Sequence, residues 1–460
     1  MKLLTTLFSS SLRLQSALGL SLPDIAVKHV KILGEQSSHQ LEDRVFRDGG
    51  HSVAIGGKII WLFDDTSSVT KRDHNLLSFV SNSVAYASDP DDDIAAIEDL
   101  GDNTGDRIDH TWIPFTEDEK KYNDAHKGKE RMAIWPGTNP LPISTEEAIL
   151  WAPRVHVDAQ AQKVTLRAEG MTLLSINITQ DGPQVTRLVD KIDGAIQYGG
   201  FAAVQGGSPN ARFVYLFGAD AYGLQLAQVP LDVIQDERKR RYYHPRLHMW
   251  AETQPLSGLA SKEDLYLAGT FSSGSIFFSP YFRTFLMIYF NNVADSTFYL
   301  RYLDLSAPRG PTHGKAGHVL GPDDIEALGS FYWSPEMNLW RSPPTKHGYN
   351  YAGQVHPEYF NRLYYAPSVY SDAQPTDFPF YGSGVVDPET PDGKHILLSY
   401  TRQMGNGRYQ VELARLEFEG IAGRPETDGA SVGREVGLGC VSLLLGSVFV
   451  LNLLVCTGRL

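Results

Sequence analysis

Acidic side chains bracket a glycine-rich hairpin early in the chain, and their chemistry suits proton transfer. The stretch Phe46 to Thr66 reads FRDGGHSVAIGGKIIWLFDDT, with Asp48 before its first strand-like run and Asp64-Asp65 after its second. Two carboxyl groups placed across an acetal bond hydrolyse it when one protonates the leaving oxygen and the other activates water or attacks carbon. Asp48 is the candidate base or nucleophile, and turn formation is its competing role, because Asp-Gly is itself a turn signal. Glu147 and Glu358 are the candidates for the proton donor, each also fitting an exposed acid. His356, in the HPE stretch with Glu358, suits orienting a carboxylate or binding a hydroxyl. Asp65 suits tuning a neighbour's ionisation or satisfying backbone donors at a turn.

The elements that hold these acids read as strands. His51 to Ile55 has strand-like composition, Gly56-Gly57 predicts a hairpin turn of the primed type, and Ile59 to Phe63 is a β-rich apolar run too short for an ordinary helix. Both acid positions therefore fall outside the ladder. Downstream, Gly199-Gly200 and Gly206-Gly207 repeat the spacing of Gly49-Gly50 and Gly56-Gly57, and Tyr215-Leu216-Phe217 repeats Trp61-Leu62-Phe63. In this second copy Tyr198 stands where the first has Asp48.

Four more modules follow the first hairpin, whose sheet Leu76 to Tyr86 continues. The second takes in Arg131 to Pro136, Ala148 to Trp151, Lys163 to Ala168 and Met171 to Ile178; the third spans Gln197 to Val229 and the fourth Ser273 to Leu305. The fifth opens at Tyr351 to Glu358 and closes with Lys394 to Thr401 and Tyr409 to Phe418. Ile25 to Leu33 alternates as a lone strand that can close a circular array against the last module. Thr116-Glu117-Asp118-Glu119 is a capping box opening a short polar helix to about Lys127. Few other segments suit helices, so the expected class is all-β: a five-bladed β-propeller over residues 25–420, with short helices in loops.

Composition sets outer limits. The 460 residues are 42% hydrophobic and 21% charged, an ordinary globular balance. A formal charge of -13 argues against a nucleic-acid partner, which needs a cationic face. The basic run Arg238-Lys239-Arg240-Arg241 reads as a solvated loop. The only cysteines, Cys440 and Cys456, lie in an apolar tail, so no disulfide staples the body. Zinc, P-loop and serine-hydrolase signatures such as HExxH, GxxxxGK[ST] and GxSxG are missing. Asp89 to Asp106 is rich in carboxylates of the kind calcium takes, but without DxDxDG order it reads as a surface loop, and no cofactor is assigned.

The two ends speak to location. Residues 1–20 have the basic, apolar and small-residue order of a signal peptide. A polar linker, 421–435, precedes Val436 to Cys456, a chargeless stretch about long enough to cross a bilayer as a helix, read as a transmembrane helix or a lipid-anchor signal. Asn177-Ile178-Thr179 is a glycosylation sequon. Together these predict an extracellular or membrane-anchored monomer.

The phrases RDGGHSVAIGGKIIWLFDDT, RMAIWP, FVYLFGADAYGLQLAQVPLDVI, SPYFRTFLMIYFNN and GKHILLSYTR together resemble fungal members of the domain of unknown function family 4185. That family is similar to five-bladed propeller glycoside hydrolases and includes enzymes that cleave D-arabinan. The resemblance runs from about Arg44 to Glu417 by module order. It implies that Asp48, after Arg47, faces a central pocket, and that Phe63-Asp64-Asp65-Thr66 stands for the relatives' FGDT, with Asp65 as the matching acid and Asp64 in place of glycine. The implied activity is hydrolysis of a polysaccharide, arabinan-type among the options; the alternative is an inactive propeller that binds cell-wall glycan or a surface partner. Arg47, Tyr198 and Trp333 are carried as binding candidates, Trp333 because aromatic faces suit sugar rings.

Overall fold

The structure is a computed structural model that describes residues 25–38, 45–87, 96–100, 107–159, 164–205, 213–255, 262–291, 295–309, 320, 324–359, 393–405 and 408–419. It is mostly β, with two short α-helices, Glu117–Ala125 and Ala327–Ser330, among the described residues. The expected signal peptide, linker and apolar tail lie outside these residues, as do most of the acidic stretch Asp89 to Asp106 and all of residues 360–392.

Five sheets of four to six strands follow one another along the chain, each starting from a short inner strand. The first builds outward from His51–Ile55 through Lys58–Phe63 and Ser83–Ala87 to Ala96–Asp99. The second has Leu141–Pro142 and Glu130–Ile134 on one edge of Glu147–Asp158, then Thr165–Thr179 and Gly182–Ile192. The third runs from Ala202–Gln205 through Phe213–Ala219 and Gly223–Pro230, and the fourth from Ser273–Ser279 through Thr284–Phe290 to Thr297–Pro308. The fifth comprises Tyr351–Val355, His395–Gly405 and Arg408–Glu419, and its outer place is taken by Ala26–Glu35. The predicted closing strand thus pairs with the last one, Ala26 opposite Glu419 and Glu35 opposite Glu412.

Apolar clusters fill the space between successive sheets. Val53 and Leu62 pack with Leu150 and Ile176; Trp151 and Leu173 with Leu216 and Val229; Phe217 and Leu226 with Phe285 and Met287; Ile288 and Phe298 with Leu398 and Leu416; and Leu397 and Leu413 return to Trp61 and Phe63. Middle strands are covered on both faces, which is why Thr284–Phe290, TFLMIYF, is continuously apolar rather than alternating. Each such side chain contributes roughly 1.5–3 kcal/mol by leaving water. The inner strands also touch in sequence, from His51–Ile55 to Leu141–Pro142, Ala202–Gln205, Ser273–Ser279 and Tyr351–Val355, and the turn Pro357–Tyr359 comes back to His51–Ile55.

Local expectations meet mixed outcomes. Gly56 and Gly57 have φ of +60° and +70°, the primed turn the glycine pair predicts. Thr116 and Glu119 form a reciprocal capping box. The helix is more than a polar ornament, because Glu119 is buried and receives Arg154 at 3.0 Å and Arg187 at 2.9 Å from the second sheet. Leu76 to Tyr86 is not one strand. It divides into Leu76–Val80 and Ser83–Ala87, and the former joins Val45–Arg47 and Thr66–Val69 in a separate three-stranded sheet. Ala96–Asp99, inside the stretch read as a loop, is a strand, and Thr165–Thr179 is one strand where two runs are expected.

Candidate active site

The small sheet determines how the acids meet. Val45–Arg47 pairs antiparallel with Thr66–Val69, Arg47 opposite Thr66, so the next step of the ladder sets Asp48 opposite Asp65. The Asp48 amide donates to the Asp65 carbonyl at 2.9 Å, and the Asp64 amide donates to the Asp48 carbonyl at 2.7 Å. Gly49 then turns the chain into the first inner strand with φ +57°, a conformation that favours glycine. A Cβ there would collide with the Asp64 carboxylate, so the residue after Asp48 must lack a side chain for Asp64 to lie against it. The Gly49 amide donates to Thr401 Oγ1 at 2.9 Å, tying this turn to the fifth sheet.

Three carboxyl groups are therefore packed together and nearly removed from solvent. Each has different partners. Asp65 accepts from Arg131 Nη2 at 2.5 Å and Trp135 Nε1 at 2.9 Å. Asp64 accepts from the Gly137 amide at 3.2 Å, and its other oxygen lies 3.4 Å from His51 Nε2. Asp48 has a hydrogen bond with Tyr351, yet its Oδ1 has no hydrogen-bond partner among the described residues. Burial holds the Asp48 carboxyl well above the usual range, with the charges of Asp64 and then Asp65 adding to it. Burial also raises Asp65, against the opposing pull of Arg131 and Trp135. Tyr351 and Tyr409 beside them are pushed up, mainly by burial, and remain neutral phenols. A carboxyl whose affinity for its proton is raised beside other carboxyls has the surroundings of a general acid.

A second buried polar group runs from the first inner strand to the fifth sheet. The Ser52 hydroxyl contacts both His356 Nδ1 and Glu358 Oε1. His356 Nε2 lies 2.8 Å from Ser399 Oγ, and Ser399 donates to the Gly50 carbonyl at 3.0 Å. Because Ser399 uses its proton on Gly50, it accepts from His356 Nε2–H. Burial lowers His356, outweighing the pull of Glu358 and favouring the neutral imidazole, while the one Ser52 proton goes to Glu358 and His356 Nδ1 lies within hydrogen-bond reach of the same hydroxyl oxygen. Ser52 and Glu358 line a cavity of about 40 Å³ among the inner strands, with Asn139, Leu141, Ala203 and Ile276 on its walls. That volume holds roughly three waters.

The other expected site residues take different tasks. Of the two acids expected as partners of Asp48, Glu358 lies on the cavity with Ser52, and Glu147 lies at the edge of the second sheet, accepting from Ser175 at 2.6 Å. Arg47, expected to bind ligand, is buried, paired with Asp99 and stacked 4.7 Å from the Phe63 ring centre. Trp333 donates to Tyr266 at 2.8 Å inside the apolar cluster between the third and fourth sheets. Tyr198 is buried with Trp151 and Leu216. Asn177 is half-buried near the end of its strand and donates to Ser175 at 2.8 Å. Among the described residues no group of three His, Cys, Asp or Glu side chains is placed to hold a metal. The sequence reading noted Asp64 beside Asp65 but assigned no role to it, nor to His51, Arg131, Tyr351 and Tyr409; Asp64 and His51 carried a signal in their place in the organising hairpin.

No family model matches the chain. No curated protein matches it either. Among solved structures the chain is similar to a Bacteroides ovatus ATCC 8483 protein described only as a candidate hydrolase, with 14% identity, 87% of this chain and 94% of that one covered, and a TM-score of 0.52. A Xanthomonas citri GH43_1 enzyme aligns at 9% identity over 84% of this chain and 90% of its own, TM-score 0.39. The catalytic domain of a Coprinopsis cinerea GH62 α-L-arabinofuranosidase aligns at 9% over 86% and 98%, TM-score 0.40. The first of these shows a shared fold; the other two carry no further weight.

Proposed function

We propose that the five sheets are the blades of a propeller and that the chain is a glycoside hydrolase acting on a polysaccharide, arabinan-type among its substrates. The observation that carries this reading is the carboxyl cluster: Asp48, whose carboxyl is raised well above the usual range by burial, beside Asp64, whose oxygens face an amide and an imidazole. Asp48 is the proton donor to the leaving oxygen, Asp64 the carboxylate that activates water or attacks carbon, and Asp65, anchored by Arg131 and Trp135, helps keep the proton on Asp48. Two carboxyls in unlike surroundings at one site are what such a reaction needs.

The test is incubation of the full-length protein with arabinan, xylan and other wall glycans. New reducing ends are expected, reduced roughly 10²–10⁴-fold in Asp48→Asn and in Asp64→Asn. Saturable glycan binding without new reducing ends would instead identify an inactive, glycan-binding propeller. The apolar tail, leader and sequon support a place outside the cell or on its membrane; a gel shift on removal of N-linked sugar, lost in Asn177→Gln, checks that route.

A further inference from the structure

One face of the three-stranded sheet continues the acid site outward. Phe46 pairs with Ser67 and Ser67 with Phe79, so these three stand abreast on one face. Strand side chains alternate, so Asp48, Asp65 and Ser81, two residues along, stand abreast on the same face. A row of carboxyls thus adjoins a row of two phenyl rings with a hydroxyl between them. Arg131 lies across both rows: Nη2 on Asp65 at 2.5 Å, Nη1 on Ser81 Oγ at 3.1 Å, and its guanidinium 4.9 Å from the Phe79 ring centre. Arg408 sits over Phe46 at 5.3 Å.

The two rings differ in access. Phe46 is buried, whereas Phe79 is 43% exposed and Ser67 is half-buried between them. A lone exposed phenylalanine needs no explanation. This one is held by a cation that also grips an acid of the site, which fixes ring and carboxyl relative to each other. Its setting is an apolar surface next to a few convergent polar groups, the pattern of a ligand site.

We propose that Phe79 and Ser67 form a saccharide subsite adjoining the Asp48–Asp64 pair, the C–H face of one sugar unit stacking on Phe79 and a sugar hydroxyl meeting Ser67. The inference rests on the glycan reading above and adds where the saccharide lies: along the small sheet. Arg131 is the positioning residue that joins the subsite to Asp65.

The experiment uses full-length protein carrying Asp48→Asn, to stop turnover, titrated calorimetrically with arabino-, xylo- and β-gluco-oligosaccharides. At least one series is expected to bind, with Kd raised about tenfold by Phe79→Ala and nearly restored by Phe79→Trp. In the active background Phe79→Ala is expected to raise KM more than it lowers kcat. Binding or hydrolysis unchanged by Phe79→Ala overturns the subsite and leaves the hydrolase standing. Absence of both binding and hydrolysis across the glycan series overturns the two together, and Phe79-dependent binding without hydrolysis keeps the subsite while refuting the enzyme.

Discussion

Asp48 and Asp65 are cross-strand neighbours, joined by an amide-to-carbonyl hydrogen bond of 2.9 Å and set on one face of a small sheet that also carries Phe79. Backbone pairing, not side-chain attraction, forces the two acids together. Burial and the neighbouring charges raise the Asp48 carboxyl, and that sets the direction of several measurable effects.

Asp48 titrates well above its ordinary range in the folded protein. The unfolded chain ionises it near pH 4, so stability tied to this group is complete below that pH and is lost as pH rises through the folded value. Asp48→Asn is therefore expected to be more stable than the parent at neutral pH, with the gap closing toward pH 4. Thermal unfolding of both proteins from pH 4 to pH 8 checks this; a gap that widens on acidification refutes it.

His356 moves the other way, its folded value lying below the ordinary one because of burial. Stability from the neutral imidazole is full above about pH 6.5 and falls as pH drops through the folded value. His356→Gln is expected to flatten this acid limb while lowering stability at pH 7.5 by roughly 1–3 kcal/mol, through lost contacts with Ser52 and Ser399. Urea unfolding at two pH values is sufficient.

Arg47 and Asp99 are a buried pair linking the small sheet to the outer strand of the first. Arg47→Met removes the cation paired with a buried carboxylate and is expected to cost roughly 3–5 kcal/mol. The double variant Arg47→Met/Asp99→Leu should recover a large part of it. If Arg47 instead bound ligand, glycan affinity would fall with stability unchanged.

Gly49→Ala introduces a methyl group against Asp64 at a left-handed position. A loss of about 1–3 kcal/mol is expected, together with reduced turnover, because Asp64 must shift away from Asp48. Gly57→Ala is the control, since its Cβ would meet open space and only the backbone conformation is penalised, by about 1 kcal/mol.

Glu119 receives two arginines from the second sheet while closing its own capping box. Glu119→Gln is expected to destabilise by roughly 2–4 kcal/mol, and hydrogen exchange should show the helix Glu117–Ala125 opening first.

Much of the architecture could be read before any coordinates. Apolar runs of five to seven residues bounded by turn residues encode strands locally, the Gly56-Gly57 turn needs only its own two residues, and Thr116 with Glu119 closes a motif four residues long. Ala26–Glu35 was legible as a lone strand whose exposed edge requires a partner. Asp48 and the Asp64-Asp65 pair were visible because they flank one hairpin. Side-chain assignments that depend on distant partners were not. Trp333 and Tyr198 are aromatic in either role, and only the packing of neighbouring sheets makes them core; Arg47 looked like a ligand contact until Asp99, inside an apparent loop, proved to be its counter-ion.

Residue order therefore accounts for the strands, the turns and the closeness of three acids, since all depend on alternation and on hairpin geometry over a few tens of residues. Which acid keeps its proton, which arginine neutralises Asp65, and which phenylalanine stays in the light depend on burial and on partners far along the chain. Desolvation and Coulomb interactions act through space, so those outcomes exist only once the sheets have closed around the site.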